Sequence, residues 1–225
     1  MLRTGKVSTL PAEGQIYTRV FNRAERRGYE RVWSEYANDL ALAPSAPTES
    51  VPRLLHDWLR SLELPIASVI LEKTPANVVR AEWLQQAFPN SYFVGLVRNG
   101  YAVCEGIRRK GRKSLDRAAR HWNLVNRSLV ECSSRLRNYI EVRYEDLVDD
   151  PRRTTAELLS FLGITAAAGQ QPLSGETRVR DDHVEIRDFN IESISRLTDS
   201  DRAMIIQNAS EMLDHFGYQD RLIGA

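Results

Sequence analysis

The chain has 225 residues, enough for one domain with a sizeable core. It is 42% hydrophobic and 27% charged, and 31 basic residues against 30 acidic ones leave a formal net charge of +1. That balance excludes bulk attraction to nucleic acid or to an anionic membrane, so an acidic ligand must be held by a local cluster. Residues 1–10 carry Arg3, Thr4 and Lys6 and no apolar h-region, so no signal peptide is expected there. The apolar runs Ile66–Leu71 and Phe93–Val97 are too short to span a bilayer. Cys104 and Cys132 form no CxxC pair and no disulfide framework, which agrees with a reducing cytoplasm.

In chain order, residues 1–20 read as irregular. Residues 22–42 place Tyr29, Val32, Trp33, Tyr36 and Leu40 at amphipathic helical positions, and Val51–Leu62 repeats the pattern after a proline-rich loop. This 22–62 stretch is expected to be a helical insertion on the substrate side. Ile66–Leu71 reads as a buried strand. Thr74 at an N-cap and Pro75 at the first helical position open a helix that stops at Pro89. Tyr92–Val97 reads as a second strand, so 66–97 predicts one βαβ unit. A short helix near Tyr101–Arg109 follows, then a long one from a Ser114 cap to about Arg137, then a strand at Tyr139–Tyr144. Asp150-Pro151 opens another helix that Gly163 ends. Residues 165–197 show no period and read as a long loop over the site. Thr198-Asp199-Ser200-Asp201 has the capping-box pattern and starts a last helix that Gly217 closes. The whole chain, 1–225, is read as a single domain with 66–164 as its core.

Two strand ends carry candidate chemistry. The strand ending Val97-Arg98 runs into Asn99-Gly100 and a helix start, the place where open α/β sheets bind ligands and where backbone N–H groups attract anions. Arg98, able to grip a phosphate with two parallel hydrogen bonds, is a candidate phosphate ligand, with a structural ion pair as the competing reading. Glu72-Lys73-Thr74-Pro75-Ala76-Asn77 occupies the equivalent place on the other strand, where Lys73 could set its charge beside the same anion.

Taken together, Glu72-Lys73-Thr74-Pro75-x-Asn77, Phe88-Pro89 and Val97-Arg98 resemble the sulfotransferase family. Further along, Trp122 with Asn126, Val142-Arg143-Tyr144-Glu145-Asp146-Leu147, Asp150-Pro151, Phe161-Leu162-Gly163-Ile164 and Phe216-Gly217-Tyr218 resemble the later motifs of that family. The resemblance spans about Leu10 to Tyr218. It implies an α/β fold, a P-loop-NTPase-like parallel sheet flanked by helices. It also implies 3′-phosphoadenosine 5′-phosphosulfate as co-substrate and transfer of a sulfuryl group to a hydroxyl or amine, without a metal. The arginine at position 98 is then implied to bind the 3′-phosphate. The family's assisting serine falls at Gly106, whose backbone N–H would have to substitute. Lys73 is implied beside the transferring group, where it stabilises developing charge. Leu10-Pro11-Ala12-Glu13-Gly14-Gln15 resembles the segment after the family's first helix, which makes Glu13 the implied general base; the competing reading is an exposed loop carboxylate.

The family's phosphosulfate loop has no counterpart in this sequence, and Gly5-Lys6-Val7-Ser8 lacks the first glycine and the Ser/Thr of a Walker A loop. The expectation is therefore a sheet without its first strand and loop and impaired turnover, or a non-catalytic nucleotide-binding module. Arg108, Arg109, Lys110, Arg112 and Lys113 form a basic cluster, either a second anchor for the ligand or a solvated turn; Arg108 is carried as a binding candidate. Arg178 and Arg180 in the long loop are candidates for closing over the donor. His56, His121, His183 and His215 show no metal-ligand spacing, and His121 reads as structural. The acceptor, whether small molecule, glycan, lipid or peptide, is not legible, nor is whether a second copy of the chain takes part.

Overall fold

The computed structural model describes residues 7–23, 31–62, 66–164, 176–179, 182–185 and 187–219, the two segments 176–179 and 182–185 as backbone. The described elements run β1 (Val7–Thr9), α1 (Ala37–Leu40), α2 (Val51–Leu59), β2 (Val69–Leu71), α3 (Ala81–Ala87), β3 (Phe93–Val97), α4 (Gly100–Gly111), α5 (Leu115–Ser133), β4 (Tyr139–Arg143), α6 (Tyr144–Asp149), α7 (Pro151–Phe161), β5 (Glu176–Val179), β6 (Asp182–Glu185), α8 (Asn190–Ile194) and α9 (Asp199–His215). This is an α/β architecture with parallel strands flanked by helices. β1 pairs in parallel with β2, Val7 opposite Val69, and β3 pairs in parallel with β4, Phe93 opposite Tyr139.

That pairing corrects the expected βαβ unit: β2 and β3 are not ladder neighbours. The partner of β2 is a three-residue strand in a stretch that reads as irregular, because its pairing rests on backbone hydrogen bonds and on Ser8, whose Oγ accepts from the Ala67 N–H at 2.9 Å. The strands are also less enclosed than a continuous apolar run suggests. In β3, Gly95 and Val97 turn inward, while Val94 is 43% and Leu96 62% exposed.

The principal core is helical. α4, α5 and α9 bury Tyr101, Cys104, Ala118, Trp122, Ile205 and Leu213 in one cluster that also takes in Val97 from β3. A second cluster gathers Leu10, Phe21, Leu54, Trp58, Trp83 and Leu84 under β1 and β2. Gly100 is required where α4 meets this core: a Cβ there would come within 3.0 Å of Leu213 and 3.1 Å of Trp122. Trp33 and Trp58 lie in the core, Trp58 stacked on Phe88 at 5.8 Å.

Local sequence chemistry sets most helix ends. Thr198 and Asp201 form the capping box of α9, Asp150 Oδ1 accepts from the Arg153 N–H at 2.9 Å at the start of α7, and Gly163 and Gly217 adopt φ of +63° and +65° where helices stop. Thr74 sits at its N-cap position, but its hydroxyl donates to Glu72 instead of capping, and the first turn, Pro75–Arg80, is a 3-10 helix. Of the first helix expected in 22–62, residues 24–30 lie outside the described residues; its described remainder holds a 3-10 turn at Trp33–Tyr36 and the single turn α1, with Trp33 edge-on against His121 and Val32 outside helical geometry at φ −137°. The segment 165–197 contains the antiparallel pair β5–β6 and α8 where the sequence reads as loop.

His121 is structural. It is 8% exposed, Nδ1 lies 2.8 Å from Ser34 Oγ, and burial pulls its pKa down to about 4. A histidine held neutral in the fold but protonated below its ordinary value of 6.5 when unfolded makes stability fall as pH drops from 6.5 towards 4. Going from pH 7 to pH 5, the contribution of His121 to stability should fall by about 2 kcal/mol, read by chemical denaturation. His121→Gln should be less stable at pH 7 yet show a flatter profile over that interval. An unchanged slope in the variant would remove His121 as its source.

Candidate active site

The residues following β1 and β2 build the first half of the site. Glu13 and Lys73, 60 positions apart, meet at 3.3 Å between Lys73 Nζ and Glu13 Oε1. They meet because the parallel ladder brings the two strand ends side by side. Glu72 then fastens the turn: its Oε1 accepts from the Gly14 N–H at 2.8 Å, and its carboxylate also receives the Thr74 hydroxyl and the Asn77 amide. Gly14 lets that carboxylate approach, since a Cβ there would lie 2.5 Å from Glu72 Cγ. The far side of Glu13 is held as well, with Gln15 Nε2 donating to Oε2 at 2.9 Å. Arg80, 1% exposed and lying 4.0 Å over the Phe21 ring, donates to Gln15 Oε1 at 3.2 Å and to Asn77 Oδ1 at 3.0 Å.

The Lys73–Glu13 pair itself is accessible: the two side chains are 69% and 27% exposed. An ion pair of that exposure contributes no more than about 1 kcal/mol to stability and is easily exchanged for another partner.

The end of β3 builds the second half. Arg98 is half-buried, its guanidinium lies 4.2 Å over the Tyr144 ring, and its Nε donates to Asn190 Oδ1 at 2.8 Å. Among the described residues its two terminal nitrogens have no hydrogen-bond partner. Asn99 caps α4, its side chain accepting from the Tyr101 N–H at 3.0 Å. Trp122 Nε1 donates to the Arg98 carbonyl at 3.1 Å and so seats α5 against the strand end, while Asn126 donates to the Trp122 carbonyl at 2.8 Å within α5. Glu145 joins the pieces, accepting from the Asn99 N–H at 2.9 Å, the Asn190 amide at 2.6 Å and the Tyr218 hydroxyl at 2.9 Å.

The structure thus brings Glu13 and Lys73 together and sets Arg98 in a separate cluster at the neighbouring strand pair. Gly106 lies inside α4, where its N–H belongs to the helix ladder and not to the free first turn, and a Cβ there would meet nothing within 4 Å. Arg108 is drawn away to α9, its NH1 2.9 Å from Asp201 Oδ1. Arg178 falls in β5, and Arg180 lies outside the described residues. Sequence reading passes over Gln15, Arg80, Tyr144, Glu145 and Asn190 as site residues. Tyr144 and Glu145 stand in a motif that marks them, while Asn190 has no local signal. Among the described residues no three His, Cys, Asp or Glu side chains gather as metal ligands, and no helix is long and apolar enough to cross a membrane.

Known proteins resemble this chain in sequence and in fold. The omega-hydroxy-beta-dihydromenaquinone-9 sulfotransferases Stf3 of Mycobacterium bovis and Mycobacterium tuberculosis are each 25% identical to the chain over 190 residues, 74% of this chain and 47% of theirs. The chain therefore spans about half the length of the curated relatives it matches. Its backbone follows the sulfotransferase domain of the Synechococcus PCC 7002 olefin synthase with a TM-score of 0.53 and 22% identity, over 90% of this chain and 82% of that one, a likeness of fold. Residues 11–168, most of the chain, match the model of the sulfotransferase family and include both strand ends, and to that family the chain belongs.

Proposed function

We propose that this chain carries the acceptor-activating and 3′-phosphate-binding parts of a sulfotransferase that uses 3′-phosphoadenosine 5′-phosphosulfate and an alcohol acceptor. The observation that carries the proposal is the 3.3 Å meeting of Lys73 with Glu13 across 60 residues of sequence. A base and a cation at one strand end are what transfer to a hydroxyl needs: one takes the proton, the other offsets negative charge that develops nearby. The curated relatives act, by name, on an omega-hydroxy quinone, and we extend the acceptor class to an apolar molecule with a terminal hydroxyl.

The nucleotide would supply the electrophilic sulfuryl group and its phosphate leaving group. Arg98 fits the 3′-phosphate, because its guanidinium is oriented by Asn190 and Tyr144 while its terminal nitrogens meet no described residue. Lys73, the more exposed partner of its pair, can turn from Glu13 to an entering anion, which frees Glu13 Oε1 to accept a hydroxyl proton. Gln15 keeps Oε2 in place meanwhile. A second reading, a nucleotide-binding module without turnover, draws on Gly106, which offers no side-chain donor to the 3′-phosphate.

Calorimetric titration with 3′-phosphoadenosine 5′-phosphate, beside a sulfuryl-transfer assay on long-chain alcohols, tests the proposal. Arg98→Ala should weaken nucleotide binding at least about tenfold. Glu13→Gln and Lys73→Ala should leave that affinity nearly intact and each lower the transfer rate by a factor on the order of 100 or more. Because the two groups act as one unit, the double variant should be little worse than the worse single variant. Binding without measurable transfer by the unaltered chain would establish the second reading, and absence of binding by folded protein would sink both.

Gly106→Ser provides a gain-of-function check. The new side chain enters open space on a helix, gaining about 0.5 kcal/mol in helix propensity, and a hydroxyl donor to the 3′-phosphate should tighten binding about tenfold. No tightening would show that the phosphate does not lie over that turn of α4.

A further inference from the structure

We propose that Asn190 is the residue through which the site selects a 3′-phosphorylated nucleotide, acting as a positioning residue for Arg98. This rests on the nucleotide-binding reading above and names a device within it. A strand-end arginine is a long side chain whose charge alone would attract any anion; discrimination requires its fork to be aimed. Two contacts aim it here. The Tyr144 ring supports the guanidinium face at 4.2 Å, and Asn190 Oδ1 takes the Nε–H at 2.8 Å, which leaves the two terminal nitrogens without a hydrogen-bond partner among the described residues.

Both supports are themselves anchored. The Tyr144 hydroxyl donates to the Arg187 carbonyl at 2.8 Å and accepts from the Phe189 N–H at 3.2 Å, pinning the segment that leads into α8. The Asn190 side chain is buried, 5% exposed, and its amide is read in one sense only: Nδ2 donates to Glu145 Oε1 at 2.6 Å, which leaves Oδ1 for Arg98. Glu145 is held in turn by the Asn99 N–H and the Tyr218 hydroxyl.

The identity of residue 190 matters as much as its position. An aspartate would also accept from Arg98, but it would neutralise the charge meant for the ligand and place a second carboxylate against Glu145. An asparagine relays the orientation of Glu145 to Arg98 without passing on its negative charge. A neutral amide at this position orients the arginine and leaves its charge uncompensated for a phosphate.

The test compares 3′-phosphoadenosine 5′-phosphate with adenosine 5′-phosphate on the full chain, for the unaltered protein, Arg98→Ala, Asn190→Ala and Asn190→Asp. Both Asn190 variants should lose about tenfold or more in affinity for the 3′-phosphorylated nucleotide and little for the other. Equal loss for both nucleotides, or no loss, overturns the proposal. If Arg98→Ala itself changes nothing, the functional reading fails instead. A measurement without nucleotide then still judges the positioning: hydrogen exchange of the Arg98 Nε–H by NMR should be slowed in the unaltered protein and restored to the solvent rate in Asn190→Ala. Fast exchange in the unaltered protein overturns the proposal whether or not nucleotide binds, and it needs no variant to fold.

Discussion

The carboxylate of Glu145 is the junction on which the second half of the site depends. It accepts three hydrogen bonds from groups far apart in sequence, the Asn99 N–H, the Asn190 amide and the Tyr218 hydroxyl. A carboxylate has room for about four such bonds, so three donors both satisfy it and fix its plane. Through it the end of β4 sets where α4 begins, where α8 docks and where the chain settles after α9. Arg143 beside it donates to the Phe216 carbonyl at 3.0 Å, adding a second tie between the same strand end and the close of α9. Arg98 inherits its orientation from this arrangement, since its support on Tyr144 and its acceptor on Asn190 come from residues that Glu145 and its neighbours hold.

Glu72 plays the matching part at the first pair of strands. It carries no role at the reacting atoms, yet its carboxylate gathers the Gly14 N–H, Thr74 and Asn77, and so fixes the turn that presents Glu13. The contrast in exposure between the two partners of the pair sets their freedom to move. Glu13 is gripped on its far oxygen by Gln15 and, behind it, by buried Arg80, whereas Lys73 is two-thirds exposed and has one described contact. A fixed base and a mobile cation are the arrangement expected if the cation changes partner when an anion enters. Each cluster thus combines a half-buried carboxylate that gathers three donors with one cation held nearby.

The helices supply the rigidity that the short strands cannot. β1 and β2 have three residues each, and a parallel pair of that length is not stable alone. What holds the strand ends in place is the packing of α4, α5 and α9 around Trp122 and Leu213, with Gly100 allowing α4 to start directly beneath Arg98. Burial of His121 against Ser34 ties α5 to the 3-10 turn at Trp33–Tyr36, which couples that contact to pH through desolvation.

The sequence by itself determined the features that depend on neighbours three or four residues apart. The caps at Asp150 and Thr198, the glycine stops at 163 and 217, the helical faces of α5 and α9, the strand ends at Lys73 and Arg98, and the family to which the order of motifs points are all local. Tertiary structure decided the pairings. That β2 lies beside β1 and not β3, that Lys73 reaches Glu13, that Gln15 and Arg80 stand behind Glu13, and that Asn190 orients Arg98 across 92 residues follow from which backbones share a ladder and which helices pack. Arg108 shows the same limit from the other side: its place in a basic run suggested a ligand, and the packing of α4 on α9 gave it Asp201. The physical reason is one of range. Helix ends and amphipathic faces are fixed by hydrogen bonds and burial within a turn or two, whereas a side chain's charge acquires its partner only when distant elements pack.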